Sequence, residues 1–176
     1  RPDTLPQDFQ SEMMATRHYI PKKYPVPMTN SFQAVTVDVD PETGTVQLLK
    51  YWCVEDCGKV INPLLVDEQV RGSIVQGIGG VLYEECRYDR DGNFLNANMA
   101  DYLVPMAGEM PDIEIGHIET LTMESELGAK GAGEAGTAGA PGAILNAIND
   151  ALSPFNASVW AQPVTPERVL KALGKY

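Results

Sequence analysis

Residues 128–142 read GAKGAGEAGTAGAPG, six glycines in fifteen positions, and the helix-like stretch 143–152 (AILNAINDAL) follows directly. Nothing else in the chain restricts its possible folds so much. Glycine loses more backbone freedom on ordering than any other residue, and a run this rich in small residues can wrap around something. Pro141 suits the first turn of the following helix, where the N–H it lacks would have no helical partner. Lys130 and Glu134 are the only ionisable groups in the run, and no bulky neighbour shields them. Successive N–H groups could form an anion-binding concavity to which Lys130 adds positive charge. By spacing alone Glu134 reads more readily as a solvated loop carboxylate.

The segment Gly131-Ala132-Gly133-Glu134-Ala135-Gly136 formally matches the dinucleotide pattern G-x-G-x-x-G. That match is rejected. The pattern needs an apolar strand immediately before it, whereas Thr122-Met123-Glu124-Ser125-Glu126 is polar, and Glu134 would set a negative charge beside a pyrophosphate. A Walker loop is absent too, because Lys130 precedes the glycines instead of following them with Ser or Thr.

The rest of the chain predicts an α+β fold. Residues 32–39 (FQAVTVDV) and 45–53 (TVQLLKYWC) read as strands, joined through Asp40-Pro41-Glu42-Thr43-Gly44, where proline presets a turn and glycine supplies positive φ. From Val66 the period changes: Val66, Val70, Ile74, Ile78 and Leu82 recur every four residues, predicting a helix of about 18 residues after Asn62-Pro63. Gly72, Gln76, Gly79 or Gly80, and Tyr83 form a small-residue stripe on it. Helical glycines cost about 1 kcal/mol each relative to alanine, so a backbone or ligand is expected close to that stripe, unless it is simply tight helix-to-sheet packing. Residues 94–104 and 112–123 are each expected to form a further strand. The expected architecture is a mixed sheet with a β-hairpin near the N-terminus and helices packed on one side.

With 24 Asp+Glu against 13 Lys+Arg the formal charge is −11, which makes nucleic acid and anionic membranes poor partners, since both are bound through basic residues. No apolar run approaches the roughly 20 residues of a membrane span, and a cytoplasmic protein is expected. Cys53, Cys57 and Cys86 are too few for a disulfide framework and are expected as buried free thiols. His18 and His117 lack Cys, Asp or Glu at the usual zinc spacings, so no protein-ligated metal is expected. The chain opens Arg1-Pro2-Asp3 without methionine, and its proline-rich residues 1–30 read as an extended segment lying on a partner or on a missing N-terminal part. Residues 31–176 form the folded remainder, and the whole is expected to be a piece of a larger polypeptide.

Several motifs coincide in order. Lys130-Gly131-Ala132-Gly133-Glu134-Ala135-Gly136, followed by Ala140-Pro141 and a small-residue helix, resembles the K-G-x-G-E loop of the molybdenum hydroxylases, the family of xanthine dehydrogenase, aldehyde oxidase and aerobic carbon monoxide dehydrogenase. Asp56-Cys57-Gly58-Lys59-Val60-Ile61-Asn62-Pro63, Gln69-Val70-Arg71-Gly72 and Val75-Gln76-Gly77-Ile78-Gly79 resemble the stretch before and within that family's glycine-lined helix. Pro163-Val164-Thr165-Pro166-Glu167-Arg168-Val169 resembles its closing segment. The likeness covers roughly residues 32 to 173.

The resemblance implies the C-terminal part of a molybdopterin-binding large subunit, or a separate subunit equivalent to it. It implies an oxidoreductase complex in which this chain, inactive alone, supplies a catalytic glutamate and part of the pterin pocket. Glu134 would be the base: a hydroxyl nucleophile is weak until it loses its proton, and a carboxylate within hydrogen-bond reach can take it. Gln76, Gly77, Lys130, Gly131 and Gly133 would contact the cofactor, molybdenum-molybdopterin or its cytosine dinucleotide. Family members hold the metal through the pterin, which agrees with the expectation of no protein metal ligands. Iron–sulfur clusters and FAD are expected on other subunits or domains, as are the N-terminal part of the molybdopterin subunit, an iron–sulfur subunit and an FAD subunit as partners, and a small-molecule substrate. The alternative is a non-catalytic assembly or interaction domain of the same fold.

Overall fold

The computed structural model describes residues 14–20 and 27–175. Most of the expected extended segment 1–30 lies outside the described residues. Strands β1 (Asn30–Val39) and β2 (Val46–Asp56) form the expected antiparallel hairpin. Its turn closes as the sequence suggests: Gly44 has φ 75°, the Asp40 carboxylate accepts from Glu42 N–H at 2.8 Å and from the Thr43 hydroxyl at 2.7 Å, and Gly44 N–H donates to the Asp40 carbonyl at 2.8 Å. Strand β3 (Asp112–His117) lies parallel to β2 on its other side, giving the mixed order β1-β2-β3.

A parallel neighbour requires a long crossover, and helix α1 (Pro63–Leu82) lies within the one between β2 and β3. Asn62 caps it, accepting from Leu65 N–H at 3.4 Å, with Pro63 at the first position. Helices α2 (Ala140–Leu152) and α3 (Pro166–Ala172) follow. The sheet presents Leu48, Tyr51, Cys53 and Ile113 to the core, facing Val70, Ile74, Ile78 and Val81 of α1 and Ile144, Ile148 and Leu152 of α2, all buried. The four-residue apolar repeat therefore marks the core face of α1, with Val66 packed at its margin.

Two strand expectations need correction. Residues 94–104 form no strand; beyond one isolated bridge between Tyr88 and Phe94, they are turns. Their own amides take the hydrogen bonds that a ladder would have used: the buried Asn96 carboxamide spans Arg87 N–H (3.0 Å) and the Glu85 carbonyl (2.7 Å), and Asn98 Oδ1 accepts from Ala100 and Asp101 N–H (2.9 and 3.2 Å). Strand β3 ends at His117 instead of reaching Met123. After the Ile118 N–H donates to the Glu55 carbonyl (2.8 Å), Thr120 N–H turns away to the Asp56 carboxylate (3.0 Å). Among the described residues no helix is long and apolar enough to cross a membrane.

Candidate functional site

The glycine run packs across the first half of α1 and the start of β1. On the helix side, Gln69 Nε2 donates to the Gly133 carbonyl at 2.8 Å, Gly136 N–H donates to Ser73 Oγ at 3.2 Å, and the Thr137 hydroxyl donates to the Ser73 carbonyl at 2.8 Å. A Cβ at Gly136 would lie 2.5 Å from the Val70 carbonyl oxygen and 2.8 Å from the Ile74 nitrogen, so only glycine allows this approach. On the strand side, the Ser31 hydroxyl donates to the Ala135 carbonyl at 2.8 Å, and Gln33 Nε2 donates to the carbonyls of Ala135 and Gly136 at 3.0 and 2.9 Å. The fully buried Tyr51 donates its hydroxyl to Gln33 Oε1 at 2.5 Å. One side of the run thus lies directly against α1 backbone.

Glu134 stands between these two sets of bonds. It is exposed, and its carboxylate enters no ion pair found among the described residues. The N–H groups of Ala132, Gly133 and Glu134 donate to no backbone carbonyl among the described residues, which leaves three successive donors for an anionic or carbonyl-bearing ligand. Gly131 N–H is taken by the Pro27 carbonyl at 3.1 Å. Lys130 is not a free cation: its ammonium lies 3.1 Å from Asp56 Oδ2, with both side chains largely covered. Burial works against the Asp56 charge, but bonds from Thr120, the Gly58 N–H and Lys130 outweigh it and hold the carboxyl well below its usual range.

The predicted stripe on α1 splits in two. Gln76 is exposed, and a Cβ at Gly72 or Gly80 would meet nothing within 4 Å, so these three positions leave an open, shallow face one turn along from Ser73. Gly77 and Gly79 turn inward. A Cβ on Gly77 would come within 2.5 Å of the Ala140 Cβ at the start of α2, and one on Gly79 would run into Glu84 and Pro105. Gly77 therefore sets the α1–α2 contact, while Gln76 faces outward.

Sequence reasoning missed a second constellation. Glu55 and His117 face each other across β2 and β3, and His117 Nδ1 lies 2.6 Å from Glu55 Oε1 while its Nε2 lies 2.6 Å from Asp67 Oδ1 on α1. Burial lowers the imidazole's affinity for a proton, but the two carboxylates outweigh it and raise the His117 pKa. Glu55 is buried, and among the described residues its Oε2 has no hydrogen-bond partner. Burial, then the nearby Glu55 charge, pushes the Cys57 thiol up to about 11. No local spacing signals this set, since its members are 12 to 62 positions apart: the parallel β2–β3 register brings Glu55 to His117, and Asp67 reaches the imidazole from α1. The cysteine expectation holds for Cys53 and Cys57, both buried; Cys86 is exposed, on the turn-rich segment after α1.

Among the described residues no three His, Cys, Asp or Glu side chains are arranged to hold a metal ion. Among the described residues the open face instead offers an exposed amide side chain, backbone N–H groups without a partner, glycine-lined space and the unpaired carboxylate of Glu134. Such a donor set fits an organic cofactor that brings its own metal ligands and is held by hydrogen bonds.

Comparison with known proteins follows the same line. A family model described as a molybdopterin cofactor-binding domain matches residues 8–111. The nicotine 6-hydroxylase large subunit of Paenarthrobacter nicotinovorans is 46% identical over 144 residues, 82% of this chain and 18% of that subunit. The carbon monoxide dehydrogenase large chain of Afipia carboxidovorans is 31% identical over 166 residues, 94% of this chain and 20% of that one. The crystal structure of quinoline 2-oxidoreductase from Pseudomonas putida 86 superimposes with a TM-score of 0.76 at 39% identity, over 79% of this chain and 18% of that one. The chain thus spans about a fifth of the length of the curated relatives it matches.

Proposed function

Because the chain belongs to the molybdopterin cofactor-binding domain family, we propose that it forms one wall of the cofactor pocket in a molybdenum-dependent hydroxylase or dehydrogenase, with Glu134 as the catalytic base. One observation carries this reading: an exposed carboxylate, unpaired among the described residues, sits on a loop whose backbone is bonded on both sides of it. A merely solvated carboxylate needs no such frame. Other residues of a longer polypeptide or of partner subunits, including those carrying iron–sulfur and flavin centres, complete the enzyme.

When bound, the molybdenum cofactor supplies the redox chemistry. This chain's residues hold and orient it. Gln76 and the free N–H groups of Gly133 and its neighbours offer hydrogen bonds to cofactor oxygens and nitrogens, and the open positions at Gly72 and Gly80 admit it against α1. Lys130, paired with Asp56, acts through the loop: it ties the start of the run to the end of β2, and Lys130 N–H donates to the Cys57 carbonyl at 2.7 Å. Gly131 fixes the next step through Pro27. Gly77 keeps α1 close to α2 beneath the site. Glu134 accepts the proton of the hydroxyl that adds to the substrate, from within hydrogen-bond reach.

The relatives named for nicotine and quinoline suggest a nitrogen heterocycle as the first substrate class to try, with carbon monoxide beside it. The test is Glu134→Gln in the complete assembled enzyme, assayed with that panel and an artificial electron acceptor. Glutamine keeps the shape and removes the base, so molybdenum content should be retained while turnover falls by about 10² to 10⁴. Turnover close to wild type at full molybdenum loading would assign the base elsewhere and favour the non-catalytic assembly reading for this chain.

A further inference from the structure

We infer that Gln33 is a positioning residue for Glu134, acting through a two-pronged amide whose direction the buried Tyr51 phenol sets. The inference rests on the reading of Glu134 as the base. The peptide carbonyl before Glu134, that of Gly133, is held by Gln69 from α1. Beyond the carbonyl of Glu134 itself, which accepts from Ala138 N–H at 3.2 Å, those of Ala135 and Gly136 converge on the one Nε2 of Gln33 from β1, and the Ser31 hydroxyl adds a second donor to the first of them. Two neighbouring carbonyls turned to the same side repel each other unless a donor lies between them, so the loop conformation around Glu134 depends on Gln33 presenting N–H rather than oxygen.

A carboxamide can face either way, since its oxygen and nitrogen ends are nearly the same size. Tyr51 removes the choice. Its hydroxyl donates to Gln33 Oε1 from a fully buried position, and burial pushes the phenol's pKa up, so the donor proton stays in place across the working pH range. The chain of bonds runs from the core, through Tyr51 and Gln33, to the loop backbone that begins one residue after the base.

The far side of the same amide is equally confined. A Cβ at Gly139, the residue capping α2, would lie 2.8 Å from Gln33 Nε2 and 2.9 Å from its Cδ. Gly139 has φ −89° and ψ −22°, open to alanine, so Gly139→Ala leaves the backbone undisturbed and displaces the movable amide. The inference can therefore be tested by deleting the donor and by pushing it aside. A base must sit within hydrogen-bond reach of the proton it removes, and a misplacement of about 1 Å can cost about 10²-fold. Loss of the Gln33 bonds should register in turnover.

The experiment uses the complete enzyme with Gln33→Met, which keeps the length and loses the donor, and with Tyr51→Phe and Gly139→Ala. For each, kcat per bound molybdenum, KM, the pH profile of kcat and hydrogen exchange of residues 131–139 are measured. Gln33→Met should lower kcat by about 10- to 100-fold with KM little changed, shift the limb of the pH profile that reports the base, and speed exchange across 131–139. Tyr51→Phe and Gly139→Ala should move every readout the same way to a smaller extent. A purely structural role would lower the yield of loaded enzyme without moving kcat per molybdenum or the pH profile, and that result overturns the inference. So does wild-type behaviour of Gln33→Met beside an inactive Glu134→Gln, which leaves the base reading intact. Active Glu134→Gln beside a slowed Gln33→Met with faster exchange would instead refute the base reading and with it the role of Gln33 toward Glu134.

Discussion

Replacing Gly136 by alanine tests the contact between the loop and α1. The added Cβ would stand 2.5 Å from the Val70 carbonyl oxygen and 2.8 Å from the Ile74 nitrogen, both within α1. Helix backbone cannot yield there without losing its own ladder, so the loop must lift. Reaching ordinary van der Waals contact takes a shift of about 1 Å. That shift carries Gly136 N–H and the Thr137 hydroxyl, now 3.2 and 2.8 Å from their Ser73 acceptors, out of hydrogen-bond range. Two bonds at about 0.5 to 1.5 kcal/mol each amount to about 1 to 3 kcal/mol, or roughly 5- to 150-fold in the local opening equilibrium. Hydrogen exchange of peptides covering 131–139 in the complete subunit reads this directly. Gly142→Ala is the control: a Cβ there meets nothing within 4 Å, it lies in α2, and alanine should add about 0.5 to 1 kcal/mol of helix stability without speeding loop exchange. Unchanged protection in Gly136→Ala, or equal loss in Gly142→Ala, would refute the account of why glycine stands at 136.

The two ionic clusters respond to pH in opposite directions. His117 has a raised pKa in the folded chain, so its contribution is complete below its unfolded value of about 6.5 and is lost as pH rises through the folded value. Thermal stability of the wild type should therefore fall as pH is raised above about 6.5, and His117→Gln should abolish that slope; one shared slope would count against the Glu55–His117–Asp67 bridge. Asp56 is held low, so its contribution is present above its unfolded value of about 4 and is lost as pH falls below it. Lys130→Met removes one charged bond to Asp56, should cost about 1.5 to 3 kcal/mol at neutral pH, and should move the acid unfolding limb to higher pH. An unmoved limb would mean that Thr120 and Gly58 hold Asp56 by themselves.

Local pattern made the hairpin, α1 and α2 legible, because each carries its own period and its own stop signals: Asp40 through Gly44 for the turn, Asn62-Pro63 for the start of α1, Pro141 for α2. Residues 94–104 misled because Phe94, Leu95, Leu103 and Val104 have strand propensity, yet Asn96 and Asn98 satisfy the backbone from their side chains. The length of β3 was overread for a related reason, since the Asp56 carboxylate, distant in sequence, captures Thr120. In the site, glycine density announced the loop, and the order of motifs suggested Glu134 and Gln76. What the sequence could not convey was which glycines face a ligand and which face a helix: Gly72 and Gly77 look alike in the string, but five positions along a helix turn them to different sides. Likewise Gln33, Tyr51 and Ser31 read as ordinary strand residues until the hairpin brings them beside a loop about a hundred positions away.

Glu55 and Asp56 are adjacent on β2, and the pleat sends them to opposite sides. One carboxylate goes to His117 and the N-terminal half of α1; the other goes to Lys130 and the start of the glycine run. A single strand end thus works as a two-way fastener whose polarity depends on counting. Substitutions earlier in β2 leave the count intact, whereas one residue inserted or deleted there would exchange the two carboxylates between faces and release helix and loop together. Length changes in this family should therefore be absent from the segment between Tyr51 and Gly58 and collect in the exposed turn at Asp89–Asn93, where an added residue disturbs no partner outside the turn.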